Sequence, residues 1–330
     1  MAVLVTGGAG YIGSHMVLAL VDAGFEVVVL DNLSTGFDWA VHPAATLVQG
    51  DVADGALVAR LVAEHGIDAV VHFAARIVVP ESMLDPLGYY LANTVKSRAL
   101  IAAVVAAGVP HLIFSSTAAV YGMVGGEPVA EDAVLAPISP YGRSKLMTEW
   151  MLADAAAAHP LRYVGLRYFN VAGADPAGRS GQSTAAATHL VKVAAEAALG
   201  KRAGLDVYGT DYATPDGTCV RDYIHVSDLA AAHLDALRHL RAGGESLVLN
   251  CGYGRGYSVL EVIETVKRVS GVDFPVRIAG RRPGDPAAIV AKAERIRAAL
   301  GWVPKLDDLD TIVAQALAWE QRLAERNRPR

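Results

Sequence analysis

Within the stretch SPYGRSKL, Tyr141 and Lys145 stand four residues apart and just past Pro140, so a helix starting there carries them on one face. A cation held beside a phenol favours the phenolate, lowers its pKa towards the working pH and turns tyrosine into a usable general base. Taken alone, such a pair is common on helix surfaces. Two other features give it chemical weight. Thr117 closes the apolar run HLIFSST 24 residues upstream and offers a hydroxyl, while a nucleotide-binding signature stands near the N-terminus. Thr117 is followed by Ala118 and Ala119, so any reaction run here has a phenol and a hydroxyl but no further proton donor at that strand end.

The nucleotide signature is TGGAGYIGSH. Gly8, Gly10 and Gly13 have G-x-G-x-x-G spacing, and Gly7 adds an overlapping pattern. Glycines there permit a tight turn, close approach of the backbone to a pyrophosphate and close packing of helix on strand, while the helix N-terminus offers N–H donors. Asp31 follows Gly13 by 18 residues at the end of the second strand. A carboxylate there accepts from both ribose hydroxyls and repels a 2′-phosphate, so NAD is expected over NADP. Asp51 and Val52, after the third strand, could frame the adenine. Phe73, Ala74 and Ala75, after the fourth, could bring backbone to the nicotinamide side, although each pair or triplet could equally be structural. His72 reads as a satisfied core histidine.

These residues need a scaffold. Short β-branched runs at 2–7, 26–31, 45–51, 67–73, 111–116 and 162–169 alternate with helical segments at 12–23, 55–65, 89–107 and 141–158. That alternation predicts an α/β, Rossmann-type doubly wound parallel sheet. The near-continuous apolar strands predict a sheet covered on both faces. From about 171 the texture becomes rich in Gly, Ala, Ser and Pro. The reading is an NAD-binding domain over 1–170, with part of 219–241 returning to it, and a smaller mixed α/β nucleotide-sugar domain over 171–330. In the second region helices are expected at 188–199, 227–241, 258–270, 292–300 and 309–324, and strands at 205–208, 246–250 and 275–278. The last residues, RLAERNRPR, read as a frayed, solvated end.

Composition narrows the partners. Of 330 residues, 53% are hydrophobic and 19% charged, enough to bury a sizeable core. The net charge of −5, with scattered basic groups, argues against general binding to nucleic acid or a membrane surface. The two cysteines, Cys219 and Cys251, have no metal-ligand spacing, so no metal is expected and buried thiols in a reducing compartment are. No export signal or membrane span is read, and a cytoplasmic location is expected.

The segments GGAGYIGSH, DNLSTG, HFAA, SSTAAVYG, SPYGRSKLMTE, LRYFNVAGADPAG, DGTCVRDYIHVSDLA and RRPGD run in the order and spacing of one family. In them the sequence resembles the extended short-chain dehydrogenase/reductase family, and within it the UDP-hexose 4-epimerases, over almost the whole chain. The resemblance implies that Tyr141 is the catalytic base, that Lys145 bonds the nicotinamide ribose and that Thr117 holds the reacting sugar oxygen. It adds Tyr11, Ile12, Asn32, Asn93, Ser115 and Tyr168 to the NAD site. It gives Arg221, Arg282, Asp285 and Asn170 to the diphosphate and ribose, sets Tyr208 against the uracil, and adds His189, Leu190 and Ile289 to the substrate pocket.

The implied reaction is interconversion of UDP-glucose and UDP-galactose through a transient 4-keto sugar, with tightly bound NAD regenerated in each cycle. The alternatives are 4-epimerisation of UDP-xylose/UDP-arabinose or of UDP-N-acetylhexosamines, and less readily dehydration. Family members that dehydrate or decarboxylate carry acids where Ala118 and Ala119 stand. A reading of another class, an NAD-binding regulator without chemistry, is opposed by the Tyr–Lys pair. The resemblance also implies a homodimer that pairs helices 89–107 and 141–158 with their mates. Three positions depart from the pattern. Ile77 replaces a cofactor-contacting lysine whose place neighbouring Arg76 could take, His189 replaces an asparagine, and Ile289 is an intermediate-sized gate to the sugar pocket.

Overall fold

The computed structural model describes residues 1–185, 187–282 and 284–326. The first five residues of RLAERNRPR, expected to be a frayed end, instead continue helix Leu309–Arg326, with Arg322 donating to the Ala177 and Gly178 carbonyls. The last four lie outside the described residues, as does Pro283 of RRPGD. The centre of the fold is a sheet of seven parallel strands. Six come from the first half: β1 (Ala2–Thr6), β2 (Glu26–Asp31), β3 (Thr46–Gln49), β4 (Ile67–His72), β5 (His111–Thr117) and β6 (Arg162–Tyr168). The seventh is Leu247–Cys251, and the order across the sheet is Leu247–Cys251, β6, β5, β4, β1, β2, β3. This is the doubly wound α/β fold.

The period-2 alternation of strands sorts side chains to two faces. Val3, Val5, Val29, Val71, Ile113, Val164 and Leu166 pack on one side with Met16 and Leu20 of helix Tyr11–Asp22 and Leu229, Leu237 and Leu240 of helix Val226–Arg241. Leu4, Val28, Leu30, Val70, Leu112 and Phe114 pack on the other with Leu61, Leu100, Val104 and Leu152 from three further helices. All of these are at most 3% exposed. Each fully buried Val, Leu, Ile or Phe is worth ~1.5–3 kcal/mol, which is what orders the strand ends.

Along β1 the chain turns to β2 and β3 on one side, and to β4, β5 and β6 on the other. A crevice opens outside the carboxyl ends of the strands at such a reversal, and ligands bind there in open α/β sheets. Gly7, Asp31, Phe73 and Thr117 all stand at that edge.

The boundaries expected from sequence fall within about two residues at most elements, with informative differences. The continuous helix expected at 89–107 is instead three pieces: an α-turn Pro86–Tyr89, a π-helical turn Tyr90–Val95 and helix Lys96–Ala106. Strand Leu247–Cys251, expected in the second region, completes the large sheet beside β6.

Three short strands, Asn170–Ala172, Gly256–Ser258 and Ala288–Ile289, were not anticipated; all three pair with Val220–His225, also unanticipated. They are two to six residues long and mixed in polarity, so periodicity has little to act on. Leu205–Tyr208 pairs with Val276–Ala279 in a separate parallel two-stranded sheet. Among the described residues no helix is long and apolar enough to cross a membrane.

Candidate active site

The turn after β1 is built by backbone contact. Gly7 has φ +73°, and a Cβ there would meet the Ala74 nitrogen at 2.6 Å. A Cβ on Gly13 would meet the Gly7 carbonyl oxygen at 2.1 Å, so strand and helix can approach this closely only without side chains. Gly10 differs. Its Cβ would meet a single atom, the Gly7 oxygen at 3.3 Å, a close contact at the N-cap of helix Tyr11–Asp22. Asp31, 7% exposed, accepts from the Ala9 N–H (3.0 Å) and the Leu33 N–H (2.8 Å). The carboxylate is thereby fixed beside the glycine turn, with the second lone pair of each oxygen left for ribose hydroxyls.

Tyr141 and Lys145 lie on helix Pro140–Ala158, whose start is set by Pro140 and by the Ser139 hydroxyl accepting from the Gly142 N–H. The helix lies along β5. The Thr117 hydroxyl accepts from the Ala119 N–H at 3.1 Å and lies close enough to the Tyr141 phenol to lower its pKa. The Lys145 ammonium donates to the Ser115 carbonyl (2.8 Å) and stands 5.0 Å from the centre of the Phe114 ring. Ser115 and Tyr168 bond through their hydroxyls.

The expected electrostatics differ in one respect. Burial pushes the Tyr141 phenol above its usual range, offset in part by the Thr117 hydrogen bond, and lowers Lys145 to about 7. The cation expected to acidify the phenol is itself desolvated, and it is aimed at a backbone carbonyl. His72 is a core residue between Thr6 (2.7 Å) and Ser97 (2.9 Å), and burial lowers its pKa to about 3.

Asn93 sits in the π-helical turn, 1% exposed. It accepts from the Arg76 N–H (2.8 Å) and donates to the Arg76 carbonyl (2.9 Å) and to Ser144 (3.0 Å). It therefore pins the Phe73–Arg76 loop to the helix of Tyr141, a task that explains why the helix departs from α geometry here. Arg76 does not take the place of the lysine missing at Ile77. Its guanidinium is bound to Glu81 and Asp85 and stacks on Tyr89 at 4.6 Å, and Ile77 is 49% exposed. Val52 is buried and Asp51 is paired with Lys96, a partner the sequence reading missed.

The second lobe gathers a separate cluster. Arg282 stacks on Tyr208 (4.5 Å) and binds Asp285 (3.0 Å), which stands 3.8 Å from Arg221. Ile289 pairs in register with Arg221 and is 7% exposed. Asn170 opens the short strand beside Val220–His225. His189 and Leu190 lie at the start of helix Leu190–Ala198, where the His189 Nδ1 is 3.3 Å from the Gln182 amide and burial lowers its pKa. The Tyr11 hydroxyl donates to the Gly173 carbonyl at 2.7 Å, tying the glycine-turn helix to the segment that leads to this lobe. Ile12 is half-buried on the same helix, and Asn32 is exposed beyond Asp31, accepting from the Ser34 N–H at 3.0 Å.

Residues 3–252 match the model of the NAD dependent epimerase/dehydratase family. The chain belongs to that family. Among its relatives, a UDP-glucose 4-epimerase of Azospirillum brasilense is 60% identical over 323 residues, covering 98% of this chain and 93% of that one. The crystal structure of a UDP-glucose 4-epimerase from Brucella ovis in complex with NAD aligns with TM-score 0.93 at 45% identity, over 96% and 97% of the two chains. One from Stenotrophomonas maltophila, with NAD and formylated UDP-arabinopyranose, aligns with TM-score 0.95 at 42% identity over 99% of both.

The cofactor of the family is NAD, and the residues of this member fit it. The helix N-terminus at Gly10 would offer its N–H groups to a pyrophosphate, and the fixed Asp31 carboxylate suits a ribose diol. Among the described residues no cluster of His, Cys, Asp and Glu could hold a metal ion.

Proposed function

We propose that the chain is an NAD-dependent 4-epimerase that interconverts UDP-glucose and UDP-galactose. One observation carries the reading: the Tyr141 phenol stands beside the Thr117 hydroxyl at a strand end that continues as Ala118 and Ala119, so the same pair that takes a proton from a sugar hydroxyl must return it. The likeness to the UDP-glucose 4-epimerases supports it.

In this reading the UDP moiety is held by Arg221, Arg282 and Asp285, with Asn170, His189 and Leu190 nearby and Tyr208 against the uracil. Charge-assisted bonds from the arginines suit the diphosphate. Free of ligand, Arg282 and Asp285 satisfy each other, and binding exchanges that surface pair for phosphate contacts. Ile289 bounds the sugar pocket. Thr117 and Tyr141 meet the sugar 4-hydroxyl. Tyr141, as phenolate, takes its proton, and Thr117 holds the oxygen through the change from alcohol to ketone.

Bound there, NAD would supply the acceptor and donor for a hydride at C4 of the sugar. Lys145 bonds the nicotinamide ribose. Its charge supplies positive field that favours the Tyr141 phenolate, against the burial that disfavours it. Gly7, Gly10, Tyr11, Ile12, Gly13, Asp31 and Asn32 hold the pyrophosphate and ribose end. Asp51 and Val52 frame the adenine, and Phe73, Ala74, Ala75, Asn93, Ser115 and Tyr168 support the nicotinamide end.

The protein acts in the cytoplasm, where its buried free thiols Cys219 and Cys251 suit a reducing compartment, and as a homodimer. Support for the dimer is an exposed apolar row on the pieces of the 84–106 segment, Leu84 (88%), Leu87 (78%), Leu91 (55%) and Val95 (53%), together with Trp150 (57%) on the neighbouring helix. These are unusual exposures for side chains of this size in such number.

The function is tested by incubating purified protein with UDP-galactose and no added cofactor while following UDP-glucose by NMR. Equilibration of the two sugars is expected. No product even after NAD is supplied, with UDP-N-acetylglucosamine or UDP-xylose converted instead, would move the assignment to another sugar pair.

A further inference from the structure

Glu149 lies on helix Pro140–Ala158, one turn beyond Lys145 and two beyond Tyr141, and is 4% exposed. Its carboxylate takes the Ser116 hydroxyl and two donors of Arg167, Nε at 3.0 Å and Nη2 at 2.7 Å. Arg167 is likewise 4% exposed, and it stands on β6 directly opposite Ser116. It also donates to the Tyr121 hydroxyl (3.0 Å) and the Glu131 carbonyl (3.1 Å), and Tyr121 donates to Asn250 (2.6 Å) on the next strand.

A buried ion pair is a poor way to gain stability, because apolar residues of similar volume are often as good or better. What this pair offers is geometry. Ser116 stands between Ser115, whose carbonyl takes the Lys145 ammonium, and Thr117, whose hydroxyl lies near the Tyr141 phenol. Successive helical turns at 141, 145 and 149 thus meet three successive strand residues, and Glu149 is the link that also ties in β6.

On its opposite flank the same helix is held to the π-helical turn by Asn93–Ser144 and by the Thr148 hydroxyl on the Asn93 carbonyl (3.3 Å). Helix and strand end are therefore fixed from both sides. Building on the epimerase reading, we propose that Glu149, held by Arg167, is a positioning residue that sets the separation of Tyr141 from Thr117 by anchoring Ser116.

The test uses Ser116→Ala, which removes the anchor and leaves the ion pair, and the double variant Glu149→Leu/Arg167→Met, which removes the pair at similar volume. Both are assayed as full-length holoenzyme for UDP-galactose turnover, with thermal midpoints measured alongside. Misplacement by an ångström can cost about 100-fold in rate, so kcat is expected to fall roughly 10-fold or more in Ser116→Ala while KM stays within about twofold and the midpoint within a few degrees. The double variant is expected to behave alike.

A Ser116→Ala protein with kcat within twofold of the unsubstituted enzyme overturns the proposal, as does a rise in KM with kcat unchanged. Should the double variant fail to fold, Ser116→Ala decides alone. An unsubstituted protein that turns over no UDP-sugar overturns the epimerase reading itself, and this inference with it.

Discussion

In the proposed reaction the Tyr141 phenol is the acid/base, and its environment sets two expectations. Tyr141→Phe removes the acid/base while keeping the ring, so kcat is expected to fall by roughly 100- to 10,000-fold with calorimetric affinity for UDP unchanged; undiminished turnover would sink the assigned role. Lys145 gives the second. The unfolded chain keeps that proton up to about 10.5, whereas the cofactor-free native state releases it near about 7. The unfolded state therefore binds more protons between these values, and native stability gains as pH rises from 7. Below 7 the buried ammonium must be carried and the gain is lost. Thermal midpoints of NAD-free protein should rise from pH 7 to 9, and Lys145→Met should flatten that rise. The sequence singled out Tyr141, Lys145, Thr117 and Asp31 as candidates because the chemistry proposed for them depends on spacing along the chain. The pairing of Arg76 with Glu81 and Asp85, and of Asp51 with Lys96, was hidden because it depends on loop conformation.

The elements make the site by bringing strand ends to one edge. The turn from β1 into helix Tyr11–Asp22 leaves no room at Gly13, where a methyl would sit 2.1 Å from the Gly7 oxygen. Gly13→Ala is expected to lose retained NAD, read from the absorbance of nucleotide released on denaturation, and to cost about 1–3 kcal/mol in stability from forced separation. Normal NAD content would contradict the packing argument. The six first-half strands were legible because their apolar runs have strand length and the helices between them have helical period. The π-helical turn was not, since Tyr90–Val95 is an ordinary helical sequence whose geometry is bent by a distant partner, the backbone of Arg76. Nor was the sheet around Val220–His225, built from strands too short to carry a pattern.

For the molecule as a whole, two clusters stand apart: Thr117, Tyr141 and Lys145 at the carboxyl ends of the large sheet, and Arg221, Arg282, Asp285 and Tyr208 on the smaller sheets. The apolar row at Leu84, Leu87, Leu91 and Val95 gives the assembly a test. Leu91→Asp with Trp150→Arg should convert a dimer to a monomer in sedimentation at micromolar concentration, and an unchanged sedimentation coefficient would place the interface elsewhere. In the proposed reaction hydride leaves C4 and returns to C4 without escaping, since Tyr141 and Thr117 have no second acid to drive any other outcome. The most direct measurement is to convert UDP-galactose deuterated at C4 in ordinary water and examine the product by NMR. UDP-glucose carrying deuterium at C4, with no solvent hydrogen there or at C5, is the predicted result; solvent hydrogen at C4, or exchange at C5, would contradict it.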